Sequence, residues 1–86
     1  MRHAKPEDLE PLSELLANLR AVPGLVERKP GTFYRGSRAF LHFHHDPSGM
    51  FADVRINGPG FERMRVTSAR EQARLMARVR QSVGVS

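Results

Sequence analysis

Two periodicities divide the chain. Leu9, Leu12, Leu15, Leu16, Leu19 and Val22 recur at near-helical spacing and make one apolar stripe. Asp8 is placed to N-cap that helix, with Pro11 in its first turn, where a missing N–H does little harm. Pro23-Gly24 ends it. Near the other end, Ser68-Ala69-Arg70-Glu71 has the form of a capping box and opens a second helix. Ala69, Ala73, Met76, Val79 and Val83 form its apolar face, Arg70, Arg74 and Arg78 form a solvated face, and Gly84 stops it. Between the helices the pattern shifts to short runs broken by turn residues. Strands are predicted at Leu25–Lys29, Thr32–Arg35, Arg38–His45, Gly49–Ile56 and Phe61–Val66.

This order predicts an α+β fold: a two-layer sandwich in which an antiparallel meander of four to five strands carries both helices on one face. Residues 1–86 are expected to form a single domain. The turn at Asp46–Gly49 pairs His45 with Met50, and that register puts Phe43 opposite Ala52, Leu41 opposite Val54 and Ala39 opposite Ile56. Those six are apolar and belong to the core. The alternate positions then face away from the helices: His44 beside Phe51, His42 beside Asp53, and Phe40 beside Arg55. The Gly36-Ser37 turn adds Phe33, Arg35 and Arg38 to that open face. If Met64 and Val66 point inward, Arg63 and Arg65 extend it. A tight turn at Asn57-Gly58 instead directs Phe61 inward, so the orientation of Phe61 stays open at this point.

Composition changes this picture in one respect. The chain is 40% hydrophobic and 27% charged, has no cysteine, and carries a formal charge of +5. The absence of cysteine excludes disulfides, thiolate metal sites and thiol nucleophiles. No apolar run approaches the roughly 18 residues of a membrane span, so no membrane partner and a cytoplasmic location are expected. Residues 1–32 are balanced, whereas residues 33–86 hold nine arginines against four carboxylates. The excess charge therefore lies on the sheet and the last helix, and it favours anionic partners.

Three functions suit the open face. The leading one is a non-enzymatic binding or self-association module, with Phe33, Phe40 and Phe51 as apolar platforms and Arg35, Arg38 and Arg55 as anion contacts. A homodimer through this face is the partner expected. The second is single-stranded nucleic-acid or anionic-ligand binding by the same residues, with bases stacked on the rings. The third is a metal or acid–base site, because His42 and His44 project from one face of a strand with Asp53 across from His42. Two imidazoles and a carboxylate can hold zinc or non-haem iron. The simpler reading makes His42–Asp53 a cross-strand polar pair, with no catalytic residue and no cofactor. No phosphate-cradling glycine loop or nucleophile-elbow serine is present.

The run Arg38-Ala39-Phe40-Leu41-His42-Phe43-His44, followed by Asp46 and Asp53-Val54 and preceded by Pro23-Gly24-Leu25-Val26, resembles a small bacterial family labelled "luciferase domain". The resemblance spans residues 22–56. It implies an α+β domain in which His42 and His44 belong to the family's motif, without implying light emission. The order of helix, Pro-Gly and meander is also distantly similar to the YjbR/MmcQ-like family, whose fold is linked to DNA binding by analogy. Neither comparison supplies catalytic residues.

Overall fold

The computed structural model describes residues 1–84. The chain folds as an α+β layer pair: one antiparallel sheet, with the helices packed on one of its faces. Strands β1 (Arg2–His3), β2 (Leu25–Lys29), β3 (Thr32–Arg35), β4 (Arg38–Asp46), β5 (Gly49–Val54) and β6 (Glu62–Arg65) build the sheet, and helices α1 (Ser13–Arg20) and α2 (Ala69–Val83) cover it. Strands β2 to β6 follow one another as a meander, and β1 joins the edge of β4. No helix among the described residues is long and apolar enough to cross a membrane.

The first helical segment begins earlier than its apolar stripe suggests. Pro6–Leu12 forms a 3-10 helix that leads into α1. Pro11 explains the change of pitch, because its ring would collide with the carbonyl four residues back in α geometry. Asp8 is therefore not an N-cap. It sits inside the segment, where its carboxylate accepts the Lys5 backbone N–H at 2.8 Å and two hydrogen bonds from Arg2 at 2.6 and 3.2 Å. This arrangement ties β1 to the 3-10 segment. Helix α2 starts as expected: Ser68 Oγ accepts from Glu71 N, Glu71 accepts from Ser68 N, and Gly84 adopts φ +78° beyond the last turn. Its buried residues are Leu75, Met76 and Val79, so the stripe is rotated away from Ala69 and Ala73, which are exposed.

Register in β4 and β5 follows the predicted pairing, with Leu41 opposite Val54, His42 opposite Asp53, Phe43 opposite Ala52 and His44 opposite Phe51. Between β3 and β4 the register slips. Tyr34 pairs with Ala39 but Phe33 pairs with Leu41, which leaves Phe40 as an extra residue. A bulge of this kind breaks strict alternation, so consecutive residues can share a face. Phe33 and Phe40 consequently lie in the core, 0% and 3% exposed, together with Leu41 and Phe43. The expectation of Phe33 and Phe40 on the open face is overturned, and the aromatic platform loses two of its three members.

Replacement of Phe33 by Ala should lower stability by about 3–5 kcal/mol, as for other fully buried aromatics; chemical denaturation reads the loss. The Arg2 guanidinium beside Asp8 holds its carboxyl down at about 2, below its usual 3.8. A depressed carboxyl stabilises the fold fully above its ordinary pKa and stops doing so as pH falls through about 2. Asp8→Asn should thus lower the melting temperature at pH 6 and flatten its decline between about pH 4 and pH 2, as followed by thermal melts across that range.

Candidate metal centre

The face away from the helices is organised by β4. Alternation sends Leu41 and Phe43 inward and His42 and His44 outward, and on β5 it sends Phe51 and Asp53 outward. His45 belongs to the opposite set, paired with Met50, and takes no part in the outer cluster. The third component comes from the start of the chain. β1 pairs antiparallel with β4 so that His3 stands beside His44, and the Ala4 N–H donates to the Phe43 carbonyl at 3.1 Å to hold that register.

Three imidazoles are thereby gathered on one face. Ring centroids lie 4.5 Å apart for His3 and His44, 5.0 Å for His42 and His44, and 5.6 Å for His3 and His42. One ring nitrogen from each falls within 4.8 Å of the other two. Nitrogens bound to one zinc ion at about 2.1 Å lie about 3.4 Å apart, so the rings must close by at most about 1.4 Å. His3 is exposed and can supply that by rotation. Phe61 packs edge-on against His42 at 5.0 Å and walls the cluster on one side.

Two nitrogens of this cluster, His42 Nδ1 and His44 Nε2, are buried without a hydrogen-bond partner among the described residues. Buried polar atoms are rarely left so. His44 Nε2 does lie 3.0 Å from Asp53 Oδ2, an ion pair whenever the ring is protonated, so His42 Nδ1 is the atom with no polar neighbour of either kind. Burial pushes His42 below the usual imidazole value, with the Asp53 charge opposing it. A neutral ring keeps a lone pair available to a cation.

Asp53 takes a different role from the one expected of a third ligand. Its carboxylate is gripped by Arg63, with Nε donating to Oδ1 at 2.8 Å and Nη2 to Oδ2 at 3.0 Å. The guanidinium lowers the Asp53 carboxyl below its ordinary range, against the effect of burial. His3, and not Asp53, completes the cluster of three.

The remaining candidates separate. Phe51 stays on the outer face, between His44 and Arg65 in register. Arg63 and Arg65 share that face by register, as the inward Met64 and Val66 require, but each is engaged: Arg63 by Asp53, and Arg65 by Glu71 at 3.0 Å and the Ser48 carbonyl at 2.9 Å. The longer connection from Val54 to Glu62 leaves Phe61 outward, with the Arg55 guanidinium stacked 4.4 Å from its ring centroid. Arg35, Arg38 and Arg55 converge at the far end of the sheet around a small cleft of about 190 Å³. Neither a protein-family model, nor a curated protein, nor a solved structure matches the chain.

Loss of the Arg63 grip should be visible in titration. Arg63→Met is expected to raise the Asp53 pKa from its depressed value, and so to narrow the pH range below the ordinary aspartate value in which the carboxylate still stabilises the fold. Carbon-detected NMR of the Asp53 carboxyl reads this directly, and an unchanged pKa would show that the pairing carries no charge stabilisation.

Proposed function

We propose that this domain binds a divalent transition-metal ion through His3, His42 and His44. The observation that carries the reading is a cluster of three imidazoles in which His42 Nδ1 is buried without a polar partner among the described residues. Imidazole donors suit zinc, copper, nickel and iron, and discriminate against magnesium and calcium, which take oxygen ligands. Zinc is the best match, since three histidines with a fourth position for water or an added ligand is a recurrent zinc environment. Asp53, fixed by Arg63, places a negative charge 3.0 Å from His44 Nε2, which favours a cation at this end of the cluster.

This reading displaces the module built on an aromatic platform, since Phe33 and Phe40 are core residues and Arg63 and Arg65 are ion-paired. One observation favours a second reading: the cleft of Arg35, Arg38 and Arg55 contains no carboxylate among its lining residues, which suits an anionic ligand. Arg55, however, already donates to the Ala39 and Pro59 carbonyls at 3.1 and 2.5 Å, which leaves Arg35 and Arg38 to carry such binding.

Titration with Zn²⁺ or Co²⁺ in a non-coordinating buffer should show one ion per chain. His3→Ala changes an exposed residue, keeps the fold, and should weaken binding roughly 100-fold, because each ligand of a four-ligand site carries about 3 kcal/mol. Retention of full affinity in His3→Ala, or the absence of stoichiometric binding, overturns the proposal.

A further inference from the structure

The histidine cluster opens onto a cleft whose shape follows from the sheet. β3 and β1 lie along the same edge of β4, one against Arg38–Leu41 and the other against His44–His45. They do not meet. The gap falls beside His42, between the Leu41 pairing and the Ala4–Phe43 hydrogen bond, and it is bordered by the Pro30-Gly31 turn and by the start of the 3-10 segment. The result is a cleft of about 410 Å³, within the range of small-molecule sites, that receives both His3 and His42.

Its lining is selective. Pro6, Leu9, Pro30 and Phe43 give apolar walls, and the two prolines present no N–H. Gly31 keeps the floor open: at φ +76°, a Cβ there would stand 2.8 Å from Leu9 Cδ1. The Gly31 N–H is already given to Glu27 at 2.9 Å. Lys29 is the one permanently charged side chain of the lining, and among the described residues it has no ion pair. Among the described residues no carboxylate lines the cleft; on the adjoining elements Glu27 is paired with Arg20 and Asp8 with Arg2, while Glu7 and Glu10 of the 3-10 segment lie outside the lining.

We propose that this cleft admits a small monocarboxylate, with its charged head between Lys29 and the metal held by His3, His42 and His44, and its apolar body against Pro6, Leu9 and Pro30. The inference rests on the metal-binding reading and names the ligand class of that site. One cation with apolar walls matches a single negative charge carrying a hydrocarbon body. Phosphate fits poorly, because its oxygens call for several donors and the cleft offers few. The Thr32 hydroxyl is the remaining neutral donor of the lining.

The test uses the full chain loaded with Co²⁺, metal uptake being measured first, with butyrate and inorganic phosphate as probes. Butyrate is expected to alter the visible Co²⁺ spectrum saturably. In the Zn²⁺-loaded protein it should shift the amide resonances of Lys29, Gly31 and Thr32. Lys29→Met should weaken butyrate at least about 10-fold, a ~1.4 kcal/mol effect, while leaving Co²⁺ affinity unchanged. Equal butyrate affinity in Lys29→Met, or a spectral change without amide shifts in the cleft, overturns the proposal by assigning the anion to the metal alone. Tighter binding of phosphate than of butyrate overturns the ligand class. Metal uptake with no response to butyrate defeats this inference only, whereas failure to take up metal defeats the metal-binding reading and this inference with it.

Discussion

Strand β4 is hydrogen-bonded along both edges, and a strand so held has no freedom over which side chains it buries. The two-residue period then sorts Leu41 and Phe43 to the helices and His42 and His44 to the opposite face. The helices need the first pair, because α1 and α2 have only this sheet to close a core of leucines, valines and phenylalanines. The histidines are outward as a consequence of that demand. Their spacing and common direction are inherited from the packing requirement, and a slip of one residue would bury both imidazoles and expose two core positions.

The same strand shows where alternation stops being a guide. In the register with β5 every pair from Leu41 to Asp46 follows from the short turn between the strands, and all six are legible in the chain. On the other edge one extra residue intervenes, and Phe40 joins Leu41 in the core. Nothing in Arg38–Leu41 announces the bulge: no glycine marks it, and Phe40 is as suited to stacking on a surface as to filling a core. Phe33 lies inward because the shifted register pairs it with Leu41. The α+β class, the five strands from Leu25 onward to within two residues at each end, and the α2 cap are readable because each has a local signal in turn residues or capping side chains.

His3 belongs to the opposite category. A two-residue strand has no period, and its pairing with β4 joins residues some forty positions apart in the chain. The only local hint is the Lys5-Pro6 step, where Pro6 starts the 3-10 segment and Asp8 reaches back to Lys5 and Arg2. That polar anchoring fixes the direction in which Arg2 and His3 leave. Asp53 was legible as the partner of the histidine face, but the guanidinium that occupies it comes from β6, whose orientation depends on a loop too long to read from turn rules.

Two of the three imidazoles thus stand on a strand that cannot move without unfolding, and the third stands on a segment held by one short ladder and by two ion contacts, Arg2 with Asp8 and Met1 N with Asp46. An assembly of that kind binds through a pre-equilibrium, so its apparent affinity is the intrinsic one scaled by the fraction of molecules with the first strand in place. Solvent conditions that loosen the Arg2–Asp8 contact, such as added salt, would therefore act from a distance on the proposed metal binding. Occupancy would in turn act on the segment, since linkage is reciprocal. The opening residues then serve as a latch: the chemistry at the centre is set by β4, and its availability is set by how often the latch is shut.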